Sequence, residues 1–411
     1  MNYKTLLLFI TGMVCGLCGT GQVLHIGNDQ AYQTLAAAAA RVRPGDTILF
    51  HAGIYQGGEN IVRLQGQQGK PITLMSCDGD SVVIRGGAAG WALHQAAWLT
   101  IRGIIFEQQT GNGFNMDDGG SFDSPSHHII LTRCTFRNIQ ASGNNDLLKL
   151  SGLDSFEIRD CVFRNGAKGG SAIDMVGCHY GVIAGCHFEN MGSNAVQAKG
   201  GSRFIRIEQN SFVHCGERTL NLGGSTGLSF FRPQNAVFEA ADLQVYANII
   251  IGSMSPVNFV GCTRVEVINN TIYQPEKWVL RILQENKDTS RFISCSNNSF
   301  RNNIIYHGSK VAYDCNIGAG TDAGSFLFSH NLWYHDENPG WRGPVGLPAE
   351  EAGHIVGMNP LFTNIAARDF SIPAHSPAAG KGTTLGNPVH DFIGRLFARN
   401  RSIGCYEVQR P

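Results

Sequence analysis

IAGCHF at residues 183–188 is answered by IEQNSF at residues 207–212, and this pair decides the fold. Each phrase runs from an aliphatic residue to a small or polar one, then closes on phenylalanine two places later. Working outward, IRGIIF closes at Phe106, LTRCTF at Phe136, IRDCVF at Phe163, VYANII at Ile250, VINNTI at Ile272 and FRNNII at Ile305. With Phe188 and Phe212 these make eight copies, at intervals of 30, 27, 25, 24, 38, 22 and 33 residues. An apolar phrase returning every ~20–50 residues marks a solenoid, whose copies bury their apolar faces only by stacking on one another. Two-residue alternation sends successive side chains to opposite faces, so each copy is a strand; the three-and-four spacing of a helix is missing.

Two residues before each closing position stand Ile104, Cys134, Cys161, Cys186, Asn210, Asn248, Asn270 and Asn303. If coils lie in register ~4.8 Å apart, a stack of thiols runs into a stack of asparagines. Stacked amides can bond to one another and to turn backbone. The expected fold is all-β: a right-handed parallel β-helix with an N-terminal capping helix and loop insertions. One domain is expected from residue 22 to 411, with cap and first rung over 22–60, regular rungs over 80–310, and C-terminal rungs and cap over 311–411.

The composition fits many tight turns between short strands. Glycine supplies 51 of 411 residues, well above the usual ~7%, and only 16% of residues are charged. Formal net charge is zero with no basic block, so nucleic acid has no electrostatic footprint. Residues 1–21 read as a secretory signal: Lys4, the apolar run LLLFITGMV, then Gly19-Thr20-Gly21 at the cleavage position. That run is shorter than the ~20 residues that span a bilayer, so a secreted or periplasmic monomer without a membrane span is expected. Gly16-Leu17 before Cys18 is a poor lipidation signal. Ten cysteines follow the leader, three of them in the stacked column. Same-facing ladder neighbours rarely have disulfide geometry, so buried free thiols are expected.

The alanine-rich stretch Ala36 to Val42 favours helix and is stopped by Pro44-Gly45-Asp46. It is the expected cover for the first rung, whose core and strand edge would otherwise be exposed. Two insertions break the period, at 111–128 and 223–242; loops of this size gather on one face of a solenoid, often the binding face.

Each copy holds a further strand: LLKLSG, AIDMVGC, AVQAKGG, TLNLGGS, PVNFVGC and VLRILQE. Aligned, their outward column reads Lys149, Asp174, Gln197, Asn221, Asn258 and Arg281, and Lys199 stands two residues beyond Gln197. Any one of these is ordinary on a solvated face, and a Lys149–Asp174 surface pair would contribute under ~1 kcal/mol. As a set beside Gly200, Gly201, Gly223 and Gly224 they form a polar groove that fits a chain-like ligand.

At these residues a resemblance enters. The segments NNDLLKLSG (144–152), GSAIDMVGC (170–178), VQAKGGS (196–202) and GERTLNLGGSTG (216–227) resemble right-handed parallel β-helix polysaccharide lyases of the alginate lyase and chondroitinase B type. The PGDTI…AGIY phrase, Pro44 to Tyr55, resembles the opening of such proteins, and NPLFTN onward to DFIGRLFARNRSIGCYE resembles their closing rung and cap. The resemblance implies a secreted enzyme that cleaves an acidic, uronate-containing polysaccharide by β-elimination, with lysine as base, arginine as acid or stabiliser, and Ca²⁺ held by carboxylates. It directs attention to Lys199, Lys149, Asp174 and Arg218 as catalytic groups. Gln197, Asn221, Asn258, Arg281, Arg232 and His179 are then substrate contacts, with His179 an alternative base. Asp117, Asp118 and Asp146 are the candidate Ca²⁺ ligands. One departure stands out: Lys199 is level with Gly223, so Arg218 begins five residues away, up to ~16 Å along extended chain.

Two further functions remain open. A glycoside hydrolase on this scaffold needs two carboxylates flanking the bond, and only Asp174 and Asp146 qualify. A non-catalytic glycan-binding surface protein needs aromatic rings in the groove, where Phe230, Phe231 and Trp278 are nearest.

Overall fold

One residue in each repeat phrase explains why the chain coils. Gly103, Arg133, Asp160, Gly185, Gln209, Ala247, Asn269 and Asn302 all occupy the left-handed region, with φ between 50° and 73°. A single left-handed residue bends an extended chain sharply while leaving strand on either side. Repeated at every level, the bend carries a strand of one sheet into a strand of the next.

The computed structural model describes residues 21–408; the expected leader falls almost wholly outside them. The chain forms a right-handed parallel β-helix of three sheets. The first sheet runs from Val23–Ile26 to Leu327–Ser329, the second from Gly53–Gln56 to Ile355–Val356, and the third from Glu59–Val62 to Cys315–Ile317. One coil is Leu153–Arg159, then Val162–Arg164, then Ser171–Val176. Its neighbours pair with it in parallel, residue for residue: Phe136 with Phe163, Phe163 with Phe188, Phe188 with Phe212.

That register stacks like on like in the interior. The rings of Phe106, Phe136, Phe163, Phe188 and Phe212 lie 4.7 to 5.1 Å apart, centroid to centroid. Beside them runs the expected amide ladder. The Asn210 side chain donates to Asn248 Oδ1 at 3.1 Å and to Ile183 O at 2.9 Å. Asn248 donates in turn to Asn270, Asn270 to Asn303, and Asn303 to Asn331, at 2.9 to 3.0 Å. The same Oδ1 atoms accept the backbone N–H of the preceding asparagine. At the thiol end the Cys186 N–H donates to Asn210 Oδ1. All ten described cysteines are free; nine are buried, as expected, and Cys77 is half-buried.

Both ends are covered. Helix Leu35–Ala39 buries Leu35 and Ala38, with Thr34 as N-cap and the Glu59 carboxylate accepting from Leu35 N and Ala36 N. It is shorter than the alanine run, giving way to turn before Pro44. At the far end Glu351 takes the last ladder amide, Asn331, at 2.7 Å and the Trp333 indole N–H at 2.8 Å; Trp341, Leu347 and Ala349 pack onto the core there.

The expectation for the C-terminal segment needs correction. Beyond residue 360 the chain does not continue the cap but turns back along the outside of the second sheet. Phe370 and Cys405 bury against Val213, Ala247, Ile249 and Ile251, with Phe362, Phe392 and Tyr406 beside them. The reason is the outer face itself. There the second sheet carries Val213, Ile249, Ile251 and Tyr273 rather than polar residues, and that apolar surface must be covered.

The ladder predicts a specific loss. Asn270→Ala leaves the Asn248 N–H buried without its acceptor, at a cost of ~1–3 kcal/mol. A lower urea midpoint with unchanged slope is the expected result.

Candidate active site

The third sheet brings the predicted column together. Register pairing sets Asn115, Lys149, Asp174, Gln197, Asn221, Asn258, Arg281 and Asn316 side by side, one per coil. Lys199 lies level with Val176, two residues beyond Gln197. The alternate residues Leu148, Ile173, Val196, Leu220, Val257 and Leu280 point into the core, and their burial fixes which face the polar column takes.

At the centre one carboxylate serves two lysines. Asp174 Oδ2 accepts a very short bond from Lys149 Nζ, and Lys199 Nζ stands 3.4 Å from the same oxygen. Asp146 Oδ2 lies 3.6 Å from Lys149 Nζ, while its Oδ1 accepts the Ser171 N–H at 2.8 Å. The Asp174 and Asp146 side chains are 0% and 1% exposed, against 22% for Lys149 and 13% for Lys199. The carboxylates therefore sit beneath the lysines and out of reach of an incoming chain. Burial pushes the Lys149 ammonium down, but Asp174 and Asp146 outweigh it, so its pKa ends above the ordinary lysine value. Burial, reinforced by the Asp174 charge, pushes the Asp146 carboxyl well above its usual range. Asp174 Oδ1 has no protein partner and is buried.

The gap expected between Lys199 and Arg218 is narrowed by their side chains. Lys199 Nζ donates to Gln197 Oε1 at 3.3 Å, Gln197 pairs laterally with Asn221, and Arg218 reaches back to Asn221 Oδ1 at 3.4 Å. Arg218 is also held by Glu285 at 2.8 Å. Arg281 donates to Asn316 Oδ1 and lies 4.6 Å over the Trp278 ring. Burial first, and then the nearby Arg218 charge, hold the Arg281 pKa below its ordinary value. Glu285 meets the charge of Arg218, whereas Arg281 bonds a neutral amide and retains the capacity to take an anion.

Backbone around Lys199 is fixed by a residue the sequence pattern did not single out. Glu239, fully buried in the second insertion, accepts from Gly200 N, Thr226 N and Thr226 Oγ1 at 2.7 to 2.8 Å. Its own C=O accepts the Gly201 N–H. Nothing in its local sequence marks it, because its partners are 13 and 39 residues away. Gly224 matters for space: a Cβ there would lie 2.9 Å from Gln197 Nε2 and 3.3 Å from Lys199 Cδ.

Other expected site residues lie elsewhere. Arg232 and His179 form a clamp at the corner between the third and first sheets. Arg232 grips Asp154 with two bonds of 2.8 and 2.7 Å and donates to Gly177 O, and His179 contacts the same Asp154 at 3.1 Å. Burial alone would raise the Asp154 pKa, but Arg232 and His179 hold it well below the carboxylate range. Arg232 also reaches Phe122 O, so the two insertions meet there.

The three proposed Ca²⁺ ligands do not converge. Asp117 is level with Ser151, whereas Asp146 lies five residues back, beyond Lys149. Asp117 is occupied by His94, Asn115 and the Gly119 N–H, and Asp118 by the Gly120 N–H. This carboxylate set does not fit one calcium ion.

A cleft of about 730 Å³ lies on the first sheet and includes Tyr180, Phe204, Arg206, Arg264 and Arg301. Its arginines are all paired, Arg206 with Glu208, Arg264 with Asp242 and Arg301 with Glu266. On the third sheet two lysines share one buried carboxylate, Asp174, and Arg281 bonds the neutral Asn316 amide rather than a carboxylate, which is why the chemistry is assigned there. A hollow of about 570 Å³ adjoins the column at His94, Asp117, Ser151 and Phe230.

Residues 72–272, the regular middle of the solenoid, match a family model described as a right handed beta helix region. The chain is similar in structure to the pectate lyase Pel9A, with a TM-score of 0.61 and 16% identity over 95% of this chain and 97% of that one. It is also similar to a rhamnogalacturonan lyase, with a TM-score of 0.52 and 11% identity over 84% and 92%. At such identities the likeness is one of fold. No curated protein sequence matches the chain.

Asp146 yields a pH prediction. Its folded pKa is raised, so the stability it contributes is whole below the unfolded value of ~3.9 and declines as pH rises through the folded value. Asp146→Asn keeps an acceptor for Ser171 and removes that decline. Urea midpoints measured from about pH 4 to neutrality should fall less steeply in the variant than in the wild type.

Proposed function

We propose that this protein is a polysaccharide lyase that cleaves a uronate-containing chain by β-elimination along the third sheet. The observation that carries the reading is the strip itself: Lys149, Lys199, Arg218 and Arg281 along one sheet, the Asp174 coil between the lysines and the Asn258 coil between the arginines, above Asp174 and Asp146, which are too buried to touch substrate. Removing the proton α to a uronate carboxylate builds negative charge on that group, so cations already in place give the largest gain available.

The roles divide by environment. Lys149, anchored by Asp174 and Asp146, stays protonated and faces the developing enolate as a fixed charge. Lys199 has only the longer contacts, 3.4 Å to Asp174 and 3.3 Å to Gln197, and serves as base. It takes the α-proton; that C–H electron pair becomes the new C=C bond as the C–O bond to the next sugar breaks. The leaving oxygen then receives a proton from the lysine ammonium just formed, or from solvent. Arg218 and Arg281 hold a uronate carboxylate, and Gln197, Asn221 and Asn258 accompany the sugar hydroxyls. Arg232 holds the Gly177 carbonyl and His179 the Gly201 carbonyl, so both position turns rather than the substrate. No step is routed through calcium, given the carboxylates' separate placements.

The leader-like residues 1–21 and a polymeric substrate support a site of action outside the cytoplasm. Among the described residues no helix is long and apolar enough to cross a membrane. Hydrolysis would need two carboxylates beside the bond, and Asp146 and Asp174 are covered.

The test is a panel of uronate polymers, followed by the absorbance of unsaturated ends and by reducing ends. Both signals are expected. Lys199→Ala should lose 10²–10⁴-fold in rate, the usual range for a general base, with far-UV circular dichroism unchanged. Reducing ends without unsaturation would replace this reading with hydrolysis.

A further inference from the structure

A second cluster of chemically capable side chains lies far from the strip, at the N-terminal coils. His51 follows strand Thr47–Phe50 and Cys77 follows strand Ile72–Ser76. Phe50 pairs with Ser76, and the Cys77 N–H donates to Phe50 O at 2.9 Å, so the two residues are neighbours on adjacent coils. Cys77 Sγ lies 3.8 Å from His51 Nδ1. A tight turn, closed by the Asp80 N–H on Cys77 O at 3.0 Å, brings the Asp80 carboxylate back to them. There its Oδ2 accepts the Ala52 N–H at 2.9 Å. One donor atom from each of His51, Cys77 and Asp80 lies within 4.8 Å of the other two.

We infer that His51, Cys77 and Asp80 form a site for a divalent transition metal of the zinc type, clipping the first coil to the second. The donor set is the argument. One thiolate, one imidazole and one carboxylate make a mixed S/N/O set that suits Zn²⁺ and does not suit Ca²⁺ or Mg²⁺. Zn–N near 2.0 Å and Zn–S near 2.3 Å in tetrahedral geometry put N and S roughly 3.5 Å apart. The observed 3.8 Å then needs only a few tenths of adjustment. Water takes the fourth position, which the partial exposure of all three residues allows. Coordination replaces the Cys77 S–H bond by S–Zn, and the proton leaves to solvent.

His25 supplies a second, independent observation. Its Nδ1 lies 2.9 Å from His51 Nε2, the nitrogen facing away from Cys77. With Nε2–H donating to His25, the His51 lone pair is on Nδ1, the nitrogen that faces Cys77. A hydrogen bond on the far nitrogen is the usual means of orienting a metal-binding histidine. Cys77 is also the one described cysteine that is not buried. The other nine are sealed in the core or under the C-terminal segment and are not open to an ion in solvent.

The experiment uses the whole chain after chelator treatment and dialysis. Calorimetry with Zn²⁺ should give one ion per chain, and Co²⁺ in its place should give a thiolate-to-metal absorption band. Cys77→Ser should abolish the band and weaken Zn²⁺ binding at least tenfold, and His51→Ala should weaken it similarly. His25→Ala, which keeps all three ligands, should weaken it by about 10-fold, the low end for loss of an orienting partner. Zn²⁺ should raise the melting temperature of the wild type and leave that of Cys77→Ser unmoved. Matching circular dichroism of the metal-free proteins excludes misfolding as the cause. Absence of saturable Zn²⁺ binding, or binding unaltered by both Cys77→Ser and His51→Ala, overturns the site.

Discussion

Parallel register is the constraint on which everything else in this molecule rests. A coil buries its apolar face only when the next coil lies directly over it, so a slip of one residue would turn every core side chain to solvent. The amide ladder from Asn210 to Asn331 makes such a slip expensive. Each Oδ1 accepts both the side chain and the backbone N–H of the asparagine on the coil before. The ladder therefore satisfies buried polar groups and measures the rise between coils together. At the thiol end the stacked phenylalanines set that rise, at 4.7 to 5.1 Å.

Because the rise is fixed, residues two dozen apart in sequence become lateral neighbours, and the third sheet turns this into chemistry. A single buried carboxylate, Asp174, can hold lysines from the coils on either side: register sets Lys149 level with it, and Lys199, two residues beyond the level neighbour Gln197, reaches it diagonally. Second-insertion groups then complete the strip from outside the repeat. Glu239 pins the Gly200–Gly201 turn just after Lys199, so the base candidate stands on backbone held from two directions.

The repeat was readable because it is written in residue types whose physics is local: alternating apolar residues, with a small or polar residue two places before the closing one. The column Lys149, Asp174, Gln197, Asn221, Asn258, Arg281 followed directly once the coils were aligned. What could not be read depends on contacts without a period. Arg232 was expected among the substrate contacts, but Asp154, 78 residues away, holds it in a corner. Asp117 and Asp146 were expected together as carboxylate ligands of the Ca²⁺ that the resemblance implies, yet strand register separates them. The closing segment looked like a cap because its phrases resemble one; its destination was set by apolar residues on the outside of the second sheet.

That returning segment also changes how the solenoid can come apart. A stack of coils touching only their neighbours would fray from its free end, one level at a time. Here the tail binds across many levels, from Gln209 through Asn269 to Asn302, by bonds to Asp391, Ser402 and Thr383. It acts as a splint, so the levels it bridges must open as one unit. A repetitive architecture thereby gains the all-or-none behaviour of a globular domain over its C-terminal half, leaving gradual unwinding to the opposite end.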